Sequence, residues 1–200
     1  MFNDCQFDEN QVDIIVLSTG YIQRGNIIGC SFGQSYVNGS FPTPVVNKNI
    51  YAGTASTIDY LSVINCDFFS GVSSSTDNAI DILSPIQLRV SNSRFSNLKK
   101  YAIVHRDSGK LIISENSFIN NGRSRANNTY TNATTNPDTS PYMTDVFSTT
   151  AFYGGSISDN ITDQTVVGVV EIGGSTLADQ NFIFSNNLVY SFGTLWGAAK

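Results

Sequence analysis

The chain has 200 residues, 40% of them hydrophobic and only 14% charged, with 11 Lys and Arg against 16 Asp and Glu and a net charge of −5. That length suffices for one domain with a sizeable core. The sparse cations form no cluster in the sequence, which excludes a nucleic-acid groove built on a contiguous basic run. No stretch of about 18 apolar residues marks a transmembrane helix, and no basic region followed by an apolar run marks a cleaved signal. Ser, Thr, Asn and Gly make up the difference, a composition of strands and turns rather than of helices.

A six-residue block recurs along the chain. It reads apolar, variable, turn-former, small polar or Cys, polar, Phe. The copies are Phe2-Asn3-Asp4-Cys5-Gln6-Phe7, Ile27-Ile28-Gly29-Cys30-Ser31-Phe32, Val63-Ile64-Asn65-Cys66-Asp67-Phe68, Val90-Ser91-Asn92-Ser93-Arg94-Phe95 and Ile113-Ser114-Glu115-Asn116-Ser117-Phe118. Two looser copies follow, Ile157-Ser158-Asp159-Asn160-Ile161-Thr162 and Phe184-Ser185-Asn186-Asn187-Leu188-Val189. They end at positions 7, 32, 68, 95, 118, 162 and 189, so the spacings are 25, 36, 27, 23, 44 and 27. Repeats of this period signal a solenoid, whose units bury their apolar faces only by stacking.

The block positions predict the side-chain columns. The final Phe7, Phe32, Phe68, Phe95 and Phe118 should stack, with Val189 extending the column. The third position holds Asp4, Gly29, Asn65, Asn92, Glu115, Asp159 and Asn186, mainly residues that tolerate left-handed backbone. The fourth holds Cys5, Cys30 and Cys66, then Ser93, Asn116, Asn160 and Asn187. The three Cys read as small buried thiols rather than as a disulfide or metal site, and the Asn amides as a ladder bonded from coil to coil.

A second, β-branched run recurs at 13–18, 78–83, 101–106 and 166–171 and reads as another strand of each coil. Alternation turns Ile80 and Ile82 inward, near Ile14, Val16 and Ile103, and turns Asp81 outward to solvent. Residues 33–56, with Gly33, Gly39, Pro42, Pro44 and Gly53, and residues 119–150, rich in Asn, Thr and Ser, read as two inserted loops. Tyr130 and Tyr142 in the second are candidates for stacking on sugars. Trp196 is expected to pack over the last coil. The expected organisation is a single domain over 1–200 with those two insertions, part of a longer chain or assembly.

Blocks such as Leu88-Arg89-Val90-Ser91-Asn92-Ser93-Arg94-Phe95 and the run at 111–121 resemble coils of right-handed parallel β-helices of the pectin-lyase-like superfamily. The resemblance covers most of the chain and implies an all-β, right-handed parallel β-helix of about seven coils, a shaft of roughly 34 Å. That superfamily includes polysaccharide lyases and hydrolases, phage tailspike depolymerases, and adhesins and fibre shafts without catalysis. Its hydrolases carry an Asn-Thr-Asp stretch, an Asp-Asp pair, a Gly-His-Gly and an Arg-Ile-Lys, none of which occurs here.

The best catalytic candidates are His105-Arg106-Asp107 with Lys110, plus Asp77 and Asp81 one coil earlier. His105 is the only histidine, the commonest general acid–base residue, yet alignment puts it beside Ile82 at the end of a core strand. The expectation is therefore a structural or receptor-binding module of an extracellular, cell-surface or virion assembly, with no cofactor or metal, no nucleic-acid partner and no membrane insertion. Its expected partners are a glycan and protein chains or further copies covering the solenoid ends. The rival is a polysaccharide depolymerase; a minor capsid or cement component comes third.

Overall fold

A computed structural model describes residues 1–8, 12–16, 20–33, 48–53, 57–70, 77–83, 85–106, 109–122, 144–148, 154–163, 168–172 and 182–190. Every regular element among them is a strand. The strands form three sheets, and every pairing is parallel.

The first sheet holds Phe2–Asn3, Tyr21–Ile28, Thr57–Ile64, Gln87–Ser91, Lys110–Ser114, Gly155–Ser158 and Phe182–Ser185. The second holds Gln6–Phe7, Ser31–Phe32, Asp67–Phe69, Arg94–Ser96, Ser117–Ile119, Ile161–Asp163 and Leu188–Tyr190. The third holds Val12–Val16, Lys48–Ala52, Asn78–Leu83, Ile103–Arg106, Thr144–Ser148 and Gly168–Ile172. Each sheet runs in chain order, and the chain visits the three in rotation. This is an all-β arrangement that fits a parallel β-helix.

The block is the corner between the first and second sheets. Its third residue is left-handed in all seven copies, with φ between 50° and 65°. One such residue redirects the strand through the corner, and Asn, Asp and Gly accept that conformation at least cost. At Gly29 a Cβ would come within 2.3 Å of Asp4 Oδ1 on the previous coil. Asn97 and Asn120 repeat the device after the second sheet, at φ 60° and 53°.

Because each coil turns at the same place, like residues come into register. Phe7, Phe32, Phe68, Phe95 and Phe118 form one column with ring centroids 4.9, 4.6, 4.7 and 5.2 Å apart. Thr162 and Val189 continue it in register. Leu61, Leu88 and Leu111 form a second column, and Val63, Val90, Ile113 and Ile157 a third, all buried.

The fourth block position forms the polar ladder. Asn116 Nδ2 donates to Asn160 Oδ1 at 3.0 Å, and Asn160 Nδ2 to Asn187 Oδ1 at 2.8 Å. The same oxygens accept the backbone N–H of Asn116 and Asn160, and Asn116 Oδ1 accepts that of Ser93. Side chains thus satisfy amides that the corner removes from the sheets. The three Cys are free thiols in the same column. Burial pushes the Cys66 thiol up to about 11, and its Sγ lies 3.3 Å from Ile64 O.

Two strands of the third sheet correct the sequence reading. Lys48–Ala52 lies inside the stretch read as the first inserted loop, and Thr144–Ser148 inside the second. Ser117–Ile119 also runs one residue into that second stretch. The third sheet's core pattern needs only Ile50 and Ala52, or Val146, as inward anchors. Flanking polar and turn-forming residues hide so short a signal. Tyr130, Tyr142, Asp107 and Trp196 lie outside the described residues.

The Phe column gives a direct test. Phe95→Ala should lower the unfolding free energy by about 3–5 kcal/mol, because a close-packed stack cannot collapse around the void. Arg94→Ala, its exposed neighbour, should change it by about 0.5 kcal/mol or less. Denaturant unfolding of both variants checks this; equal losses would contradict the column as a source of stability.

Candidate functional site

Charged side chains meet on the outer face of the third sheet. Asp81 sits mid-strand in Asn78–Leu83, paired in register with Tyr51 on one side and Val104 on the other. Alternation puts these three on the face opposite Ile80 and Ile82. That face is not wet: Asp81, Val104 and Phe147 are all 0% exposed. Val104, Phe147 and Tyr101 form a small apolar cluster separate from the main core, with the Tyr101 and Phe147 rings 4.9 Å apart.

The expectation that Asp81 is solvated is therefore wrong. Period-two alternation gives the direction of a side chain but not whether something lies over that face. Burying a carboxylate is costly unless it is paired, and here two cations pair it. Arg106 Nε donates to Oδ1 at 2.5 Å and its terminal nitrogen to Oδ2 at 2.8 Å, a two-point contact. The Lys48 ammonium donates to Oδ2 as well and lies 4.5 Å from the centroid of the Tyr51 ring, within cation–π range.

Burial pushes the Asp81 carboxyl up, but the Arg106 and Lys48 contacts outweigh it and hold it below the ordinary carboxylate range. An Asp kept ionised this way holds no proton to give a leaving group. Asp77 is no second carboxylate for it. Asp77 pairs with Lys100 at 3.1 Å and precedes Asp81 by four residues of extended chain, roughly 13 Å. The carboxyl pairs of glycosidases sit about 5–9.5 Å apart.

His105 pairs in register with Ile82 and is fully buried on the inward side of its strand. Its Nδ1 shares a hydrogen bond with Ser148 Oγ, one coil on, at 3.1 Å. The chain closes tightly beside the ring: Gly109 has φ 150°, and a Cβ there would stand 1.9 Å from Pro85 O and 3.4 Å from His105 Nε2. So the structure brings Asp81 and Arg106 together, places His105 on the opposite face of the same sheet, and sets Asp77 apart with Lys100. Lys110 lies on the first sheet and points outward.

Sequence reasoning missed Lys48, Tyr51 and Ser148. The signal for the first two was available, since Ile50 and Ala52 repeat the spacing of Ile80 and Ile82. Among the described residues there is no group of three or more His, Cys, Asp or Glu able to hold a metal ion. A shallow groove of about 670 Å³ follows the left-handed corners, with Asp67, Arg94, Glu115 and Asp159 along it. It is the outside of the repeated turn. Comparison with protein-family models, with curated proteins and with solved structures finds no match for this chain.

The ion cluster is testable through stability. Asp81→Asn leaves Lys48 and Arg106 without their counter-charge and should cost about 3–5 kcal/mol. The folded-state carboxyl ionises at lower pH than in the unfolded chain. Its contribution is thus complete above the unfolded value of about 3.9 and is lost as pH falls through the folded value. Denaturant midpoints measured from pH 6 downward should fall less steeply below about pH 4 in Asp81→Asn than in the parent.

Proposed function

We propose that this chain is a structural β-helix module: a stiff rod of an extracellular or virion assembly, of the kind found in tail fibres, spikes and adhesins, that contacts glycans or partner chains through its outer surfaces. We take it to be a right-handed coil of the pectin-lyase-like type. Parallel strands joined by crossovers are right-handed in nearly all proteins, and the repeated blocks carry the resemblance.

The observation that carries the reading is where the reactive side chains stand. Asp81 is neutralised by Lys48 and Arg106, His105 is enclosed in the core, and Asp77 is tied to Lys100. What repeats in all seven copies is the left-handed corner, with the Phe column along the first five and the amide ladder along the last three. Phe2 and Phe184 stand in the inward row of the first and last strands of the first sheet and are 40% and 53% exposed. Apolar positions like these suit contact with a further coil or a partner.

The rival depolymerase reading gives the experiment. The protein is incubated with a panel of acidic polysaccharides, and unsaturated products and new reducing ends are followed. No turnover is expected. Turnover that disappears in Asp81→Asn or His105→Gln would replace the rod with an enzyme.

A further inference from the structure

We infer that the thiol column Cys5, Cys30 and Cys66 is a binding site for a soft monovalent cation of the Cu(I) type, held between the sulfurs of successive coils. As a sequence these thiols read as small buried filling; their shared orientation gives them a further use. Register sets Cys5 across from Cys30, since Asn3 faces Ile28 and Gln6 faces Ser31. It sets Cys30 across from Cys66, since Ile28 faces Ile64 and Ser31 faces Asp67. All three are free thiols, and each makes the same contact with the carbonyl oxygen two residues back. Cys5 Sγ lies 3.4 Å from Asn3 O, Cys30 Sγ 3.4 Å from Ile28 O and Cys66 Sγ 3.3 Å from Ile64 O. Side chains oriented alike repeat at the spacing of their strands, so neighbouring sulfurs stand roughly 4.8 Å apart.

That separation decides between chemistries. A disulfide needs its sulfurs ~2.05 Å apart, so the side chains would have to leave the orientation they share. A thiolate–metal bond is ~2.3 Å long, and two in line span ~4.6 Å, close to the gap already present. Thiolate sulfur favours Cu(I), Zn and iron–sulfur clusters. Structural Zn takes four ligands, and such clusters take four Cys. Among the described residues no group of three or more His, Cys, Asp or Glu is arranged to hold one ion. What fits is a two-coordinate ion between paired sulfurs. The gaps Cys5–Cys30 and Cys30–Cys66 have room for one ion each, with Cys30 shared.

The surroundings suit a cation. The corner groove opens on Cys30 and Cys66 and carries Asp67, Glu115 and Asp159 against Arg94. Cys5 is partly exposed, while the other two are buried. Burial pushes the Cys66 thiol up, but contacts with the backbone of Cys30 and Gly29 act the other way and favour the thiolate. The ion takes the place of the thiol proton: each S–H bond gives way to a sulfur–metal bond, and the proton passes to solvent. No buried thiolate is then left without a counter-charge.

The test is anaerobic titration of the whole chain, its thiols reduced, with Cu(I) supplied as a complex with a coloured chelator. The protein should withdraw Cu(I) from the chelator, one ion per gap, and X-ray absorption should show sulfur neighbours only. Cys30→Ser removes the shared sulfur and leaves Cys5 and Cys66 two strand spacings apart, roughly 9.6 Å, so it should retain no Cu(I). Cys5→Ser and Cys66→Ser should each retain one ion. Ser93 already occupies this column, its hydroxyl 3.0 Å from Ser91 O, so serine suits the position, and thermal unfolding checks that each variant folds. If Cys30→Ser does not fold, the loss of one ion in each of the other two carries the test. Zn(II) should not be retained. No withdrawal by the parent, retention unchanged in the Ser variants, nitrogen or oxygen neighbours in the spectrum, or Zn(II) held as tightly as Cu(I) would each overturn the inference. None of these readouts depends on the rod or on turnover, so the site and the proposed function stand or fall separately.

Discussion

A single left-handed residue at the corner between the first and second sheets sets the geometry on which the other contacts depend. It has to recur at the same point of every coil, because one coil that turned a residue early would present every later side chain to the wrong face. Seven corners with φ between 50° and 65° meet that condition. Given the shared corner, parallel pairing in register follows, and with it the stacking of identical side chains. The corner also removes backbone amides from the sheets. The Asn, Ser and Cys that follow it lie where a side chain can replace those bonds, as Asn160 Oδ1 does for Asn116. Local conformation and long-range packing thus favour the same arrangement at each block, the consistency that marks a foldable sequence.

The third sheet obeys different rules from the other two. The first and second present one face to the core and one to solvent, so their strands alternate, as in the exposure pattern of Lys110–Ser114. Asn78–Leu83 is buried at all but its last residue, and its outer face holds both an apolar cluster and an ion triad. Such a triad is a weak source of stability relative to apolar packing, but its members cannot be removed singly without leaving a buried charge. It fixes how Lys48–Ala52, Asn78–Leu83 and Ile103–Arg106 sit relative to one another, since the partners come one from each. The same pairing keeps Asp81 ionised, so it has no proton to donate.

The exposed faces differ from one another as well. Along the second sheet the outward row reads Gln6, Ser31, Asp67, Arg94, Ser117, Ile161 and Leu188, a mixed surface with no sign of charge prevailing. The outward rows of the first sheet collect Arg24, Arg89 and Lys110 from strands far apart in the chain. A solenoid makes such collections readily, because residues a coil apart in sequence come one strand spacing apart in space.

The sequence by itself determined the corner, the Phe column and the amide ladder, because each depends on a residue type at a fixed place in a local block. The register of His105 with Ile82 was legible for the same reason. It did not determine the strands Lys48–Ala52 and Thr144–Ser148, whose short apolar signal stands among loop-like residues. Nor did it determine the environment of Asp81: alternation names the face a side chain takes, and only tertiary structure decides whether that face meets water. Lys48 and Arg106 lie 33 and 25 residues from Asp81, so their charges read along the chain as isolated. The basic face of the first sheet has the same origin, since cations that form no cluster in sequence become neighbours only when successive coils stack.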